Sequence, residues 1–181
     1  MNFKKHNTRI IILTGKAQSG KNESANIIKK SIEKQNKKAV IISYAKYLKD
    51  YAKEITKWDG KEKTKPRKFL QQLGVELIKN QIDENLLINR IKEDIKIYEY
   101  FFDVIIISDA RFVSEIENIK TKNTVVIKIE GKENKLKNIE KKHITETALD
   151  NYNKYNYIIQ NNKTKQNLKK QIKNLMEGIK W

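Results

Sequence analysis

Five short runs of β-branched and aliphatic residues are spaced along the chain, with segments of helical repeat between them. The first, "TRIIILT" (Thr8 to Thr14), is apolar almost throughout and stops at Gly15, the pattern of a strand buried on both faces. "NESANIIKKSIEKQ" then places Ala25, Ile28 and Ile32 on one side of a helix. "AVIISY" (Ala39 to Tyr44) predicts a second strand and "AKYLKDYAKEI" a second helix. A polar loop, "TKWDGKEKTK", leads to Pro66, the only proline, placed where a helix begins. That helix is expected through "RKFLQQLGVELIKN", and another through "ENLLINRIKEDIKIYEYF". "DVIIIS" (Asp103 to Ser108) is the third strand, "DARFVSEIENIK" a turn into a helix, "NTVVIKIEG" the fourth strand, "NYIIQNN" the fifth, and "TKQNLKKQIKNLMEGI" a closing helix. Strands alternating with helices predict an α/β fold, a parallel five-stranded sheet with helices on both faces. We expect one domain over 1–181, with a helical region at about 45–101 and a charged, apolar-poor lid segment at about 131–147.

Composition narrows this picture. A chain of 181 residues buries enough surface to stand without disulfides, and it has no cysteine. No apolar run is long enough for a signal peptide or a membrane span, so the expectation is a cytoplasmic protein with no membrane partner. The 39 basic residues against 22 acidic give a net charge of +17. Such a surplus suggests nucleic acid, but the lysines are scattered along helical stretches rather than gathered with aromatics in one arm. A general Lys/Asn/Ile bias is the favoured explanation, and a dedicated nucleic-acid surface the weaker one. Only four of the basic residues are arginines: Arg9, Arg67, Arg90 and Arg111. A chain that defaults to lysine keeps arginine where a flat bidentate fork is needed.

Candidate chemistry starts between the first strand and the first helix. Gly15-x-x-x-x-Gly20-Lys21 has the spacing of a phosphate-cradling loop, in the strand–loop–helix context that the motif requires. Gly15, Lys16, Ser19, Gly20, Lys21, Asn22 and Glu23 are the candidate nucleotide contacts. The common motif continues with a Ser or Thr that meets magnesium, whereas this chain has Asn22. The third strand delivers Asp109 to the same end of the sheet, as a second candidate magnesium ligand or as the cap of a helix. Arg111 either forks onto a phosphate or pairs with Glu115. Arg67 and Gln71, one turn apart, suit the phosphate and base of a second substrate, or a solvated helix face. His143 has no second histidine nearby for a zinc site and is expected to be a structural hydrogen-bonder.

These segments, taken in order, resemble the phage and bacterial deoxynucleoside monophosphate kinases, a branch of the P-loop nucleoside monophosphate kinases. "GKAQSGKNESA" is similar to that family's loop, "YAKYLKDYA" to its substrate-side helix and "PRKFLQQLGVELIK" to its Arg- and Gln-bearing helix. "IISDARFVSEIENIK" resembles its Asp-x-Arg-Phe signature, "HITETALD" the segment after its lid, and "YNYIIQNNKTKQNLKKQI" its last strand and helix. Departures from the family pattern are Asn22 in place of Asp, Lys79 in place of Arg, Leu86 and Leu87 where a tryptophan is common, and a lid whose cations are all lysines. The resemblance implies a P-loop NTPase-type sheet and phosphoryl transfer from ATP, with Mg2+, to a deoxynucleoside monophosphate. It implies catalytic roles for Lys21, Asp109 and Arg111, metal ligation by Asn22 and Asp109, and acceptor contacts from Lys49, Arg67, Gln71, Glu76 and Arg111. It also implies lid roles for Lys141, Lys142, His143 and Glu146. Three alternatives stay open at the level of sequence: a dephospho-coenzyme A or phosphomevalonate acceptor, a nucleic-acid binder without turnover, and assembly as a homodimer.

Overall fold

The computed structural model describes residues 3–131 and 143–179. Five parallel strands lie in the order β2-β3-β1-β4-β5: β1 (Arg9–Thr14), β2 (Ala39–Ile42), β3 (Val104–Ala110), β4 (Thr124–Gly131) and β5 (Tyr157–Asn161). Alternate residues of the central strands feed two cores. Ile11, Leu13, Ile106, Ile127 and Ile129 pack with Ile28 and Ile32 of α1 (Lys21–Glu33) and with Leu168 and Ile172 of the closing helix (Lys165–Gly178). Ile10, Ile12, Ile105, Ile107 and Val126 face the other way, onto Ile88, Ile91 and Ile95 of a helix at Leu86–Tyr98. This is why β1 and β3 are apolar at nearly every position: each residue meets a helix layer whichever way it points.

The sheet matches the expected α/β architecture, with strand ends moved by a residue or two. Two parts differ in kind. The long helix expected from Arg67 is α-helical only over α3 (Arg67–Gln71) and then wound as a π-helix over Gln72–Ile82. Its end is closed by an i→i+5 bond from Asp83 N–H to the Ile78 carbonyl, 2.9 Å. Leu73 and Ile78, the buried pair of this segment, are five residues apart, the repeat of that bond. A pattern of apolar positions does not separate this winding from an ordinary helix. The other difference concerns the lid segment. Residues 132–142, including Lys141 and Lys142, lie outside the described residues, but just beyond them Ile144–Thr147 forms a short helix packed against the sheet's carboxyl end.

The adjacent strands β1 and β3 supply the two central loops. β1 leads into α1 on one face, and β3 leads into Val113–Glu117 on the other. The crevice where two such connections diverge is where open parallel sheets bind ligands. The β1–β3 register shifts between Ile12↔Ile107 and Thr14↔Ala110, so β3 carries one extra residue beside the loop. Asp109 sits at that irregularity, and bulges of this kind re-aim side chains next to sites.

Candidate active site

The turn after β1 needs its glycines. Gly15 has φ 138° and Gly20 φ 96°, left-handed values that other residues rarely adopt. A Cβ on Gly15 would stand 2.3 Å from the Ile129 carbonyl oxygen, and one on Gly20 would stand 2.2 Å from Asn161 Nδ2. Asn161, at the end of β5, donates from that amide to the Ser19 carbonyl at 2.9 Å and so ties the loop to the sheet. Beyond Gly20, α1 begins with backbone N–H groups that have no partner inside the helix, a ready anion site. Ser19 and Ser24 are buried there, with hydroxyls that have no hydrogen-bond partner among the described residues.

Lys21 is buried at 7% exposure, and its ammonium folds back to donate to the Gly15 and Lys16 carbonyls at 2.8 and 2.7 Å. Burial, reinforced by the Arg111 charge, lowers its pKa from 10.5 to about 7; Glu146 and Asp109 partly counter this. Asp109 accepts from Tyr44 N–H (2.9 Å) with one oxygen and from Ala45 N–H (3.0 Å) with the other. It thereby caps α2 (Ala45–Thr56), which has no cap of its own. Asp109 is thus a helix cap, though of a helix distant in sequence, and it also lines the cleft. Burial pushes its pKa up, against those two hydrogen bonds and the nearby cations.

Arg111 does not pair with Glu115 through its side chain. Its guanidinium meets Glu146 and also donates to the Thr145 carbonyl at 3.2 Å. Glu115 instead accepts from the backbone N–H of Arg111 (2.6 Å) and of Phe112 (3.1 Å), fixing the turn that follows β3. Burial pushes the Glu115 carboxyl up to about 7. Glu146 closes the arrangement, because its second oxygen accepts from the Ala17 N–H of the loop at 2.6 Å.

A cleft of about 590 Å3 joins these groups to a second set. Gly20, Lys21, Asn22, Glu23, Asp109, Arg111 and Glu146 line it, and Lys21 feels the charges of Arg111, Glu146 and Asp109. Lys49 of α2 and Arg67 and Gln71 of α3 line the same cleft, as do the apolar side chains of Leu48, Leu70, Val75, Leu87 and Phe112. Lys79 caps the Phe112 ring at 4.2 Å, and Arg67 is paired with Glu62. Gly15, Lys16 and Ser19 face a neighbouring cavity of about 450 Å3, where Lys16 pairs with Asp150 at 3.1 Å. Glu23 reaches Lys165 at 2.8 Å. Glu76 is not brought to the cleft; it is exposed beside Gln72, while Val75 and Gly74 of the π-helix face inward. His143 is a capping residue, its Nδ1 accepting from Thr145 N–H at 3.3 Å. Sequence reasoning missed Asn161; it named Glu146 as a lid residue through the resemblance, but not the docking of its carboxylate onto Ala17 and Arg111. For Asn161 the signal was a polar residue at a strand's carboxyl end; for Glu146 nothing local announced the docking.

A parallel sheet with a glycine loop and a buried lysine at its carboxyl end has the architecture of a P-loop nucleotide-binding protein. The sequence model of the family described as "Deoxynucleotide monophosphate kinase" matches residues 31–172, and the chain belongs to that family. The match begins after the phosphate loop, so the loop's assignment rests on its own geometry. No protein of curated function matches the chain. Among solved structures, the chain is similar to shikimate kinase from Acinetobacter baumannii in complex with shikimate, with 9% identity, TM-score 0.48, and coverage of 95% of this chain and 93% of that one. It is also similar to shikimate kinase from Bacteroides thetaiotaomicron, with 15% identity, TM-score 0.46, and coverage of 93% and 96%.

Proposed function

We propose that the protein transfers the γ-phosphoryl group of ATP to the 5′-phosphate of a deoxynucleoside monophosphate, in a magnesium-dependent reaction of the cytoplasm. The observation that carries this reading is that Lys21 and Arg111 share one cleft with Lys49, Arg67 and Gln71. The glycine loop and Lys21 suit a polyphosphate; Arg67 offers a guanidinium fork for a phosphate and Gln71 an amide for the edge of a base, with apolar side chains in the same lining.

The acceptor is itself a phosphate, whose second pKa of about 6 leaves it mostly ionised at neutral pH, so no general base is needed. Catalysis is then alignment and charge neutralisation. Lys21 leaves the Gly15 and Lys16 carbonyls for the phosphates of ATP, and that charge restores its own protonation. Arg111 balances charge spread over the group in transit. Arg67 exchanges Glu62 for the acceptor phosphate, and Lys49 adds a second cation beside it.

The residues present fit a hydrated magnesium ion. Asn22 and Asp109 offer hard oxygen atoms in the cleft, and no cluster of three or more His, Cys, Asp or Glu side chains among the described residues forms a protein cage. Magnesium commonly takes one or two protein oxygens, substrate phosphates and several waters. When bound with ATP it neutralises the phosphate oxygens; Asn22 and Asp109 would orient its shell. A coupled ADP-release assay over the deoxynucleoside monophosphates, with dephospho-coenzyme A and phosphomevalonate alongside, tests the reading. Turnover with a deoxynucleoside monophosphate supports it, and turnover only with one of the other acceptors overturns it.

A further inference from the structure

Glu146 stands on the donors that a phosphoryl oxygen would use. One carboxylate oxygen accepts from the Ala17 N–H of the loop at 2.6 Å, and the other meets the Arg111 guanidinium. The carboxylate also acts on Lys21, favouring its protonated form. These contacts are partly shielded from water, with Glu146 only 8% exposed, and a charge this buried is stable only when it is partnered. A loop amide, a guanidinium and a lysine together are a set of donors for an oxyanion. Position adds to chemistry: Ala17, Arg111, Thr145 and Glu146 line both the 590 Å3 cleft and the 450 Å3 cavity, so the Arg111–Glu146 pair is part of the partition between them.

We propose that Glu146 is a placeholder anion, its carboxylate occupying the place of the donor's terminal phosphoryl group until ATP displaces it from the Ala17 amide and Arg111. The inference rests on the reading of this cleft as the ATP site. Empty, the cradle is neutralised by the protein's own carboxylate and Arg111 is held at the point of use. Filled, two anions compete for one set of donors, and the phosphate prevails because it brings more oxygens. A fixed strut that merely holds Arg111 would behave differently, since its removal only harms binding and turnover.

Glu146→Gln, similar in shape and without charge, separates the two. Calorimetric titration with ATP and with ADP is the assay. The expected result is an ATP Kd lower by about tenfold, a larger gain than that for ADP, because the charged competitor for the terminal phosphoryl is gone. The melting temperature of the free protein should fall, since the Ala17 amide and Arg111 lose their anion, while the shift produced by ATP grows. Wild type that binds ATP beside a Glu146→Gln protein that binds it no better overturns the placeholder and leaves a strut. Wild type that binds no ATP removes the donor-site reading and this inference with it. Glu146→Asp keeps the charge but shortens its reach by one methylene. Its ATP Kd should fall between the other two, and should Glu146→Gln not fold, an unchanged Kd in Glu146→Asp overturns the proposal.

Discussion

Replacing Lys21 by methionine should stabilise the free protein while ending turnover. The buried ammonium is held by two carbonyls only, and its pKa falls from 10.5 to about 7. Each tenfold change in proton affinity corresponds to about 1.4 kcal/mol, so burying the charge costs on the order of 4–5 kcal/mol where lysine is protonated in both states. Losing two hydrogen bonds to Gly15 and Lys16 offsets about half of that. The net gain for Lys21→Met is about 2 kcal/mol, or roughly 4–8 °C in Tm for a chain of this size. Between pH 7 and 10.5 the unfolded chain keeps a proton that the folded protein has released, so wild-type stability from this residue rises with pH across that window. The advantage of Lys21→Met is therefore full below about pH 7 and shrinks toward pH 10. Calorimetric melts of both proteins at pH 6, 8 and 9.5 measure it. A Lys21→Met protein no more stable than wild type at pH 6, or a difference that does not shrink with pH, refutes the argument.

Arg67→Lys keeps the charge but loses the fork, and should raise the acceptor KM by about tenfold with the KM for ATP little changed; equal effects in initial-rate kinetics would take Arg67 out of the acceptor site. Asn22→Asp should lower the magnesium concentration for half-maximal rate and Asn22→Leu should raise it, as read from magnesium titrations at saturating substrates; coincident curves would leave Asn22 as a helix-start residue. Asp109→Asn puts an amide N–H against the N–H of Tyr44 or Ala45, and should cost about 1–3 kcal/mol in denaturant melts as well as lowering the rate. An unchanged midpoint would show that the cap contributes nothing.

The sheet was legible because strands buried on both faces leave an unmistakable trace: "IIIL" (10–13) and "VIII" (104–107) have no polar position to confuse with a helix. The loop was legible for a similar reason, since six glycines in the chain make Gly15 and Gly20 conspicuous in front of Lys21. Asp109 was found by its place at a strand end. Its grip on α2 was not, because the partners are Tyr44 and Ala45, 65 and 64 residues away. The π-winding of Gln72–Ile82 escaped because one extra residue per hydrogen-bonded ring leaves composition unchanged. That winding turns Val75 inward and leaves Glu76 exposed. Glu146 follows a lysine-rich stretch and carries no periodic signal, so its burial against Ala17 and Arg111 is a purely tertiary fact.

In the proposed reaction the phosphoryl group moves from ATP onto the phosphate of a deoxynucleoside monophosphate. Incubation with γ-labelled ATP, magnesium and each of the four deoxynucleoside monophosphates, followed by chromatographic separation, follows that group directly. With wild type, label is expected in the deoxynucleoside diphosphate for at least one acceptor, and with Lys21→Met in none. Label that stays in ATP, or passes only to inorganic phosphate with every acceptor, would contradict it.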